Sequence, residues 1–217
     1  MKKSNLQMSE TFRLGALLAV CGGFLDAYTY LCRGHVFANA QTGNVVLLGV
    51  NLAQGRVAAA LGYVIPIVAF ALGIVLAELL RGVFGKRRLH WRQAVILVEA
   101  GILLLVAFLP QGEWDTTANV LVAFVCAMQV QTFRKMQGSV YATTMCTGNL
   151  RSGTELLADY FRTGDKSLLK KGLAFYGIIL FFIVGAALGA LLAVALGTWA
   201  VLVAAGLLLC ALGLMFF

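Results

Sequence analysis

Long apolar runs separated by short polar connections form the hydrophobic pattern of this chain. A bilayer core of roughly 30 Å is crossed by about 20 helical residues, and six runs approach or exceed that length. Two shorter segments, residues 42–54 and 147–161, predict short helices that do not cross on their own. The six longer runs predict transmembrane helices near residues 11–31, 57–80, 93–110, 116–133, 170–195 and 198–217.

The tripeptide Thr-Gly-Asn occurs twice, at residues 42–44 and 147–149, and each copy opens one of the short helices. Matches around it keep a nearly constant offset of about 105 residues, as when Val20-Cys21 is repeated at Val125-Cys126. Ordered matches at one offset indicate an internal duplication. The predicted repeats are residues 1–110 and residues 111–217.

Each repeat contains three predicted membrane helices, an odd number, so the second copy enters the membrane from the opposite side. The sequence therefore predicts an all-α membrane protein built from two inverted three-helix repeats. Each Thr-Gly-Asn segment is expected to be either a half-helix that re-enters the bundle or a capped helix in a surface loop. Thr42 is the expected N-cap of the first one, with its hydroxyl accepting a backbone N–H.

The composition excludes a soluble globular domain, because 61% of the residues are hydrophobic, 12% are charged and the mean hydropathy is +0.90. In such a chain the net charge of +8 reflects membrane orientation and not a nucleic-acid partner. With the N-terminus in the cytoplasm, all the Lys and Arg residues except Arg33 and Arg56 lie on the cytoplasmic side. The positive-inside rule thus predicts that both termini are cytoplasmic.

Polar residues inside the apolar runs are the candidate functional groups. A carboxylate deep in a membrane costs on the order of 3 kcal/mol, so Asp26 is expected to face protein or water. Glu99 is expected either to extend toward Arg92 or Arg88, or to point inward. Both carboxylates are candidates for proton coupling. The candidate solute site consists of Asp26, Tyr28, Thr42, Gly43, Asn44, Gln129, Gln131, Thr147, Gly148 and Asn149.

The sequence contains no recognisable catalytic or metal-binding motif. His35 and His90 are not part of H-E-x-x-H, and neither G-x-S-x-G nor G-x-x-x-x-G-K-[ST] occurs. The five cysteines lie in or beside apolar segments without C-x-x-C spacing, which is typical of buried, reduced thiols. We therefore expect no enzyme activity, no metal and no cofactor.

Small residues recur every fourth position in one helix of each repeat. The first stripe is Ala69, Gly73 and Ala77, and the second is Gly185, Gly189 and Ala193. Such stripes let helix backbones approach closely in lipid. We expect them to pack helices within one bundle, and a homodimer through these faces is the alternative.

Three stretches resemble a known family. They are Gly-Gly-Phe-Leu-Asp-Ala at residues 22–27, Val-Phe-Ala-Asn-Ala-Gln-Thr-Gly-Asn at 36–44, and Ala-Thr-Thr-Met-Cys-Thr-Gly-Asn at 142–149. The chain resembles the YoaK-like bacterial inner-membrane proteins, a domain-of-unknown-function family, over nearly its whole length. The resemblance implies a multi-pass protein of the inner membrane, and it implies no substrate.

The leading functional hypothesis is a small-solute transporter or channel whose site lies between the two repeats. Its partners are then the lipid bilayer and an unidentified small solute. Two helix N-termini favour a solute with a negative or electronegative group, whereas Asp26 favours a cation or a proton. A non-transporting scaffold or partner subunit is the alternative, and an intramembrane enzyme is a third class.

Overall fold

The computed structural model describes residues 10–84, 90–136 and 138–216, and this part of the chain is almost entirely helical. Lys2, Lys3, Lys86, Arg87 and Arg88, which contribute to the predicted orientation, lie outside the described residues. A two-residue antiparallel pair, β1 (Lys135–Met136) and β2 (Ser139–Val140), precedes the sixth helix. The helices are α1 (Phe12–Cys32), α2 (Gln41–Ala53), α3 (Val57–Phe84), α4 (Trp91–Ala107), α5 (Asp115–Thr132), α6 (Cys146–Thr163), α7 (Lys166–Leu196) and α8 (Val201–Leu214).

An α-helix occurs at each predicted helical segment, with ends shifted by up to about four residues, but the predicted N-cap of α2 is wrong. The helix begins at Gln41 with Ala40 as its N-cap, and no side chain caps it. The reason is that a turn forms earlier in the chain, where the Gly43 N–H donates to the Ala40 carbonyl oxygen at 2.9 Å. Thr42 therefore lies inside the first helical turn.

Three helical segments of the described chain are long and apolar enough to cross a membrane, namely Phe12–Cys32, Val57–Phe84 and Lys166–Leu214. The last of these includes α7 and α8, which are separated by a 3-10 turn at Gly197–Ala200. α4 has 17 residues and α5 includes several polar side chains, so both fall short of that combination of length and apolar content. Six membrane crossings therefore remain a prediction.

The helices pack in pairs that join the two halves of the chain. α1 lies along α7, α3 lies along α5, and α4 packs against α8. The short helices stay within their own halves, with α2 on α3 and α6 on α7. By chain order the counterparts are α1 and α5, α2 and α6, α3 and α7, and α4 and α8. Exchanging each helix with its counterpart leaves this set of packed pairs unchanged.

Glycine makes the closest of these contacts possible. A Cβ at Gly189 would lie 2.6 Å from the Phe24 carbonyl oxygen, and one at Gly73 would lie 2.5 Å from that of Phe124. Both distances are shorter than real Cβ contacts, so the stripes of small residues allow backbone to meet backbone. All six stripe residues are buried within one chain, which favours packing in the bundle over a dimer through these faces.

The segment after α1 turns back into the bundle. The turn uses left-handed backbone at Gly34 (φ +79°) and His35 (φ +60°), and the His35 ring packs edge-on against Tyr30. The Asn39 amide then donates to the Gly22 carbonyl oxygen at 3.2 Å. Gly22 lies ten residues before the end of α1 at Cys32, so this segment returns about 15 Å along the helix.

Arg33, placed outside by the positive-inside rule, is a fully buried side chain that joins three helices. Its ion pair with Asp115 at the start of α5 spans 3.2 Å. Its backbone carbonyl accepts a hydrogen bond from the Asn119 amide. A guanidinium has five N–H donors, and all five donate hydrogen bonds here. The acceptors are the Tyr28 hydroxyl, Asp115 Oδ1 and the carbonyl oxygens of Val106, Leu109 and Pro110 at the end of α4.

Candidate functional site

A cavity of about 620 Å³ lies where the two Thr-Gly-Asn segments meet α1, and we call it the central cavity. Its walls come from both halves of the chain. α1, α2 and α3 contribute from the first half, and α6 and α7 contribute from the second. The lining residues are Asp26, Asn39, Ala40, Gln41, Thr42, Phe70, Thr144, Met145, Cys146, Thr147, Gly148 and Phe182.

Asp26 is the acidic residue of the central cavity. Its Oδ1 accepts a hydrogen bond from the Asn39 N–H at 3.2 Å, and Asn39 is itself held by the Gly22 carbonyl. The returning segment therefore holds the Asp26 carboxylate beside the residues that immediately precede α2. Asp26 is partly accessible and lines the cavity.

Two helix N-termini line the same cavity as Asp26. α2 begins at Gln41 and α6 begins at Cys146, and Thr42 and Thr147 are the second residues of the two helices. A helix N-terminus carries about half a positive charge. Two of them nearly balance an ionised carboxylate, and they leave the cavity positive when that carboxylate is protonated.

The structure brings four of the predicted site residues together in the central cavity. They are Asp26 from α1, Thr42 from α2, and Thr147 and Gly148 from α6. Both loops that precede the short helices reach the same turn of α1, because Thr143 and Thr144 pack beside Gly22 while Asn39 bonds to it.

Neither asparagine of the repeated tripeptide lines the central cavity, since Asn149 bonds to backbone and Asn44 bonds to a neighbouring side chain. Asn149 accepts from the Ala142 N–H at 3.2 Å and donates to the Ala142 carbonyl oxygen at 2.6 Å. Asn44 donates to the Gln41 side chain at 3.0 Å. Gly43 is also outside the cavity lining, and a Cβ there would meet nothing within 4 Å.

Three other predicted site residues point elsewhere. The Tyr28 hydroxyl donates to the Thr198 carbonyl oxygen and accepts from Arg33. Gln129 is buried, and its amide donates to the Leu18 carbonyl oxygen at 3.1 Å. Gln131 donates to the Glu78 carboxylate at the end of the bundle. Each of these side chains is used in helix packing and not in the central cavity.

Glu99 is fully buried in α4, which fits the inward alternative and not an extension toward Arg92, while Arg88 lies outside the described residues. Arg92 instead pairs with Glu10 at 3.2 Å. Neither Glu99 oxygen has a hydrogen-bond partner among the described residues. Since Glu99 does not line the central cavity, Asp26 is the carboxylate that a solute there would meet.

Sequence reasoning missed several cavity residues, of which Asn39 and Thr144 are the most informative. They lie 105 positions apart, the same offset as Thr42 and Thr147, so the repeat itself contained the signal. Phe70 and Phe182 were missed for another reason, since an aromatic residue in an apolar helix does not stand out. No group of three His, Cys, Asp or Glu side chains suited to a metal occurs within the described residues.

Comparison with known proteins agrees with a membrane assignment. The chain is 28% identical over 184 residues to the UPF0700 transmembrane protein YoaK of Bacillus subtilis (strain 168), and the match covers 81% of each chain. No solved structure matches it significantly. Residues 14–214 match the family described as protein of unknown function, DUF1275. This helical chain with apolar helices is therefore a membrane protein that belongs to the DUF1275 family.

Proposed function

We propose that this protein moves a small solute across the membrane through the central cavity, as a transporter or channel without enzymatic chemistry. The observation that carries the proposal is the meeting of two helix N-termini with Asp26 in one cavity. A scaffold needs no such cavity, whereas solute sites in many membrane transporters are formed by the ends of half-helices.

The proposal includes two inverted repeats of three membrane helices each. Its support is the pairing of α1 with α7 and of α3 with α5, which is unchanged when the halves are exchanged. The matching sequence positions support it independently. Two repeats related by a two-fold axis in the membrane plane place a solute site at their interface, where the central cavity lies.

In this arrangement α2 and α6 are half-helices that start inside the bundle. The return of Asn39 to Gly22, about 15 Å from the end of α1, supports that assignment for α2. The contacts of Thr143 and Thr144 with the same turn support it for α6. Irregular backbone at such depth is stable only where it is buried in protein or lines a cavity, and both segments do so.

The charge balance of the central cavity indicates how a proton and a solute would be coupled. An ionised Asp26 offsets the two helix N-termini, so the empty cavity is close to neutral. Protonation of Asp26 leaves the N-termini in excess and favours a solute with a negative or electronegative group. We therefore propose that the solute and a proton bind together.

We further propose that the chain lies in the cytoplasmic membrane of a bacterium with both termini in the cytoplasm. A reporter inserted between residues 81 and 92, or fused after residue 217, is then expected to be cytoplasmic. A reporter inserted beside Glu113, between α4 and α5, is expected outside. A cytoplasmic signal at Glu113 would contradict the inverted repeat, because α4 and α5 would no longer flank an external turn.

Filling the central cavity tests its role in transport. We expect Thr42→Phe and Thr147→Phe each to reduce flux by at least tenfold, because both side chains line the cavity. Thr117→Phe is the matched control, since Thr117 is exposed at the start of α5 and lines no described cavity. Flux is measured in proteoliposomes against a panel of small anions, zwitterions and cations under an imposed proton gradient.

Two outcomes would contradict the transport proposal. One is a wild-type protein that is folded and moves no member of the panel, which would favour a scaffold or partner subunit. The other is equal flux in all three phenylalanine variants, which would place the path outside the central cavity. Thermal unfolding in detergent, measured for each variant, separates lost transport from lost folding.

A further inference from the structure

A separate cavity of about 450 Å³ lies at the end of the bundle where α3 and α5 finish and α4 begins, and we call it the basic cavity. Four basic side chains line it, Arg81, Arg92, Arg134 and Lys135, together with the ring of Trp91. It shares no lining residue with the central cavity. Its chemistry is therefore independent of the proposed transport site.

The basic cavity has an excess of positive charge. Arg92 pairs with Glu10 at 3.2 Å, and Arg81 pairs with Glu78 at 3.5 Å. Arg134 and Lys135 are exposed, and neither forms an ion pair with any acidic side chain of the described chain. Two cationic groups are thus available for an anion.

A buried hydroxyl on the wall of the basic cavity also lacks a partner. Thr132 is 2% exposed, and its Oγ1 has no hydrogen-bond partner among the described residues. A buried polar group usually has one, so Thr132 is available to a ligand in the cavity. Together with Arg134 and Lys135 it supplies the donors that a phosphate group accepts.

The surroundings of the basic cavity are those of a membrane interface. The Trp91 ring lies under two guanidinium groups. The Cζ atoms of Arg81 and Arg92 are 5.7 Å and 5.4 Å from its ring centroid. Tryptophan concentrates at the level of lipid headgroups. α3 exposes Leu79 and Val83 within one turn of Arg81, so apolar surface for an acyl chain lies next to the charged cavity.

We propose that the basic cavity binds a phosphate group, and that an anionic phospholipid headgroup supplies it. Basic pockets between membrane helices are suited to such headgroups. Arg134 and Lys135 contact the phosphate, Thr132 donates to one of its oxygens, and the acyl chains lie along α3. A soluble phosphate ester has the same binding chemistry without the acyl chains, so experiment can distinguish the two sources.

The test uses the purified full chain in mild detergent, with lipid binding followed by native mass spectrometry. We expect phosphatidylglycerol to bind at least tenfold more tightly than phosphatidylcholine. The double variant Arg134→Gln/Lys135→Gln should weaken phosphatidylglycerol binding about tenfold, since each basic contact contributes to the affinity. Thr132→Val should weaken it about threefold, as expected for one lost hydrogen bond.

The matched control is Lys170→Gln/Lys171→Gln, which removes the same charge from exposed positions of α7 outside the cavity. We expect it to change the affinity by less than about twofold. Competition by millimolar glycerol 1-phosphate, lost in the Arg134/Lys135 variant, would show that the phosphate alone is recognised. Equal weakening in both double variants, or equal binding of the two lipids, would overturn the proposal.

Discussion

Replacing Arg33 by alanine is expected to lower the free energy of unfolding by about 3–5 kcal/mol, the range for removing one partner of a buried ion pair. The substitution leaves the Asp115 carboxylate without its cation and removes the donors to three carbonyl oxygens at the end of α4. Arg33→Lys is expected to recover only part of this loss. An ammonium group keeps the charge but has three donors, and it lacks the planar fork that reaches both Asp115 and the carbonyls.

The measurement is thermal or denaturant unfolding of the detergent-solubilised chain. Arg151→Ala is the control, because the Arg151 side chain is 82% exposed and its contact with Glu155 is 4.0 Å long. An exposed pair of that kind contributes well under about 1 kcal/mol. If Arg33→Ala unfolded at the same temperature as Arg151→Ala, Arg33 would not be the link between α1, α4 and α5.

Asp26→Asn is expected to abolish proton-driven accumulation of the solute while leaving passive exchange measurable. Asparagine has the shape of aspartic acid, and its Oδ1 can still accept the Asn39 N–H, so the returning segment should keep its place. The side chain can no longer gain or lose a proton. The cavity is then fixed in the electrostatic state of the protonated site, and the proton gradient has no group through which to act.

This prediction is checked by comparing accumulation under a proton gradient with exchange at equal pH, in the same proteoliposomes. Asp159→Asn is the control, since Asp159 lies on α6 and pairs with Arg162 at the surface, away from the cavity. An unchanged dependence on the gradient in Asp26→Asn would remove the carboxylate from the mechanism. A lower unfolding temperature would instead assign it a structural role.

The helices were predictable from the sequence because apolar runs of this length have few alternatives to a membrane helix. The meeting of the Thr-Gly-Asn segments was predictable for a different reason. The predicted inverted repeat relates the two copies by a two-fold axis, which would bring equivalent parts together. Thr42 and Thr147 line one cavity accordingly.

The roles of individual polar side chains were not predictable in the same way. Arg33 is an external charge by the positive-inside rule, yet it is buried because α4 ends nearby with carbonyl groups that need donors. The sequence does not indicate where another helix ends in space. Asn44 and Asn149 lie at matching positions of the repeated tripeptide, but repetition is compatible with internal hydrogen bonding as well as with binding a solute.

The pairing of α1 with α7 also affects the order in which the protein is made. The last residue of α1, Cys32, is separated from the first of α7, Lys166, by 134 positions. At roughly 5–20 residues per second, synthesis of that stretch takes about 7–27 s. During that time the glycine-lined face of α7 that covers α1 does not exist, and neither does the Asp115 partner of Arg33 for most of it. Insertion of the first helix and its assembly are therefore separate events, and the polar groups of α1 spend the interval beside lipid, water or another protein.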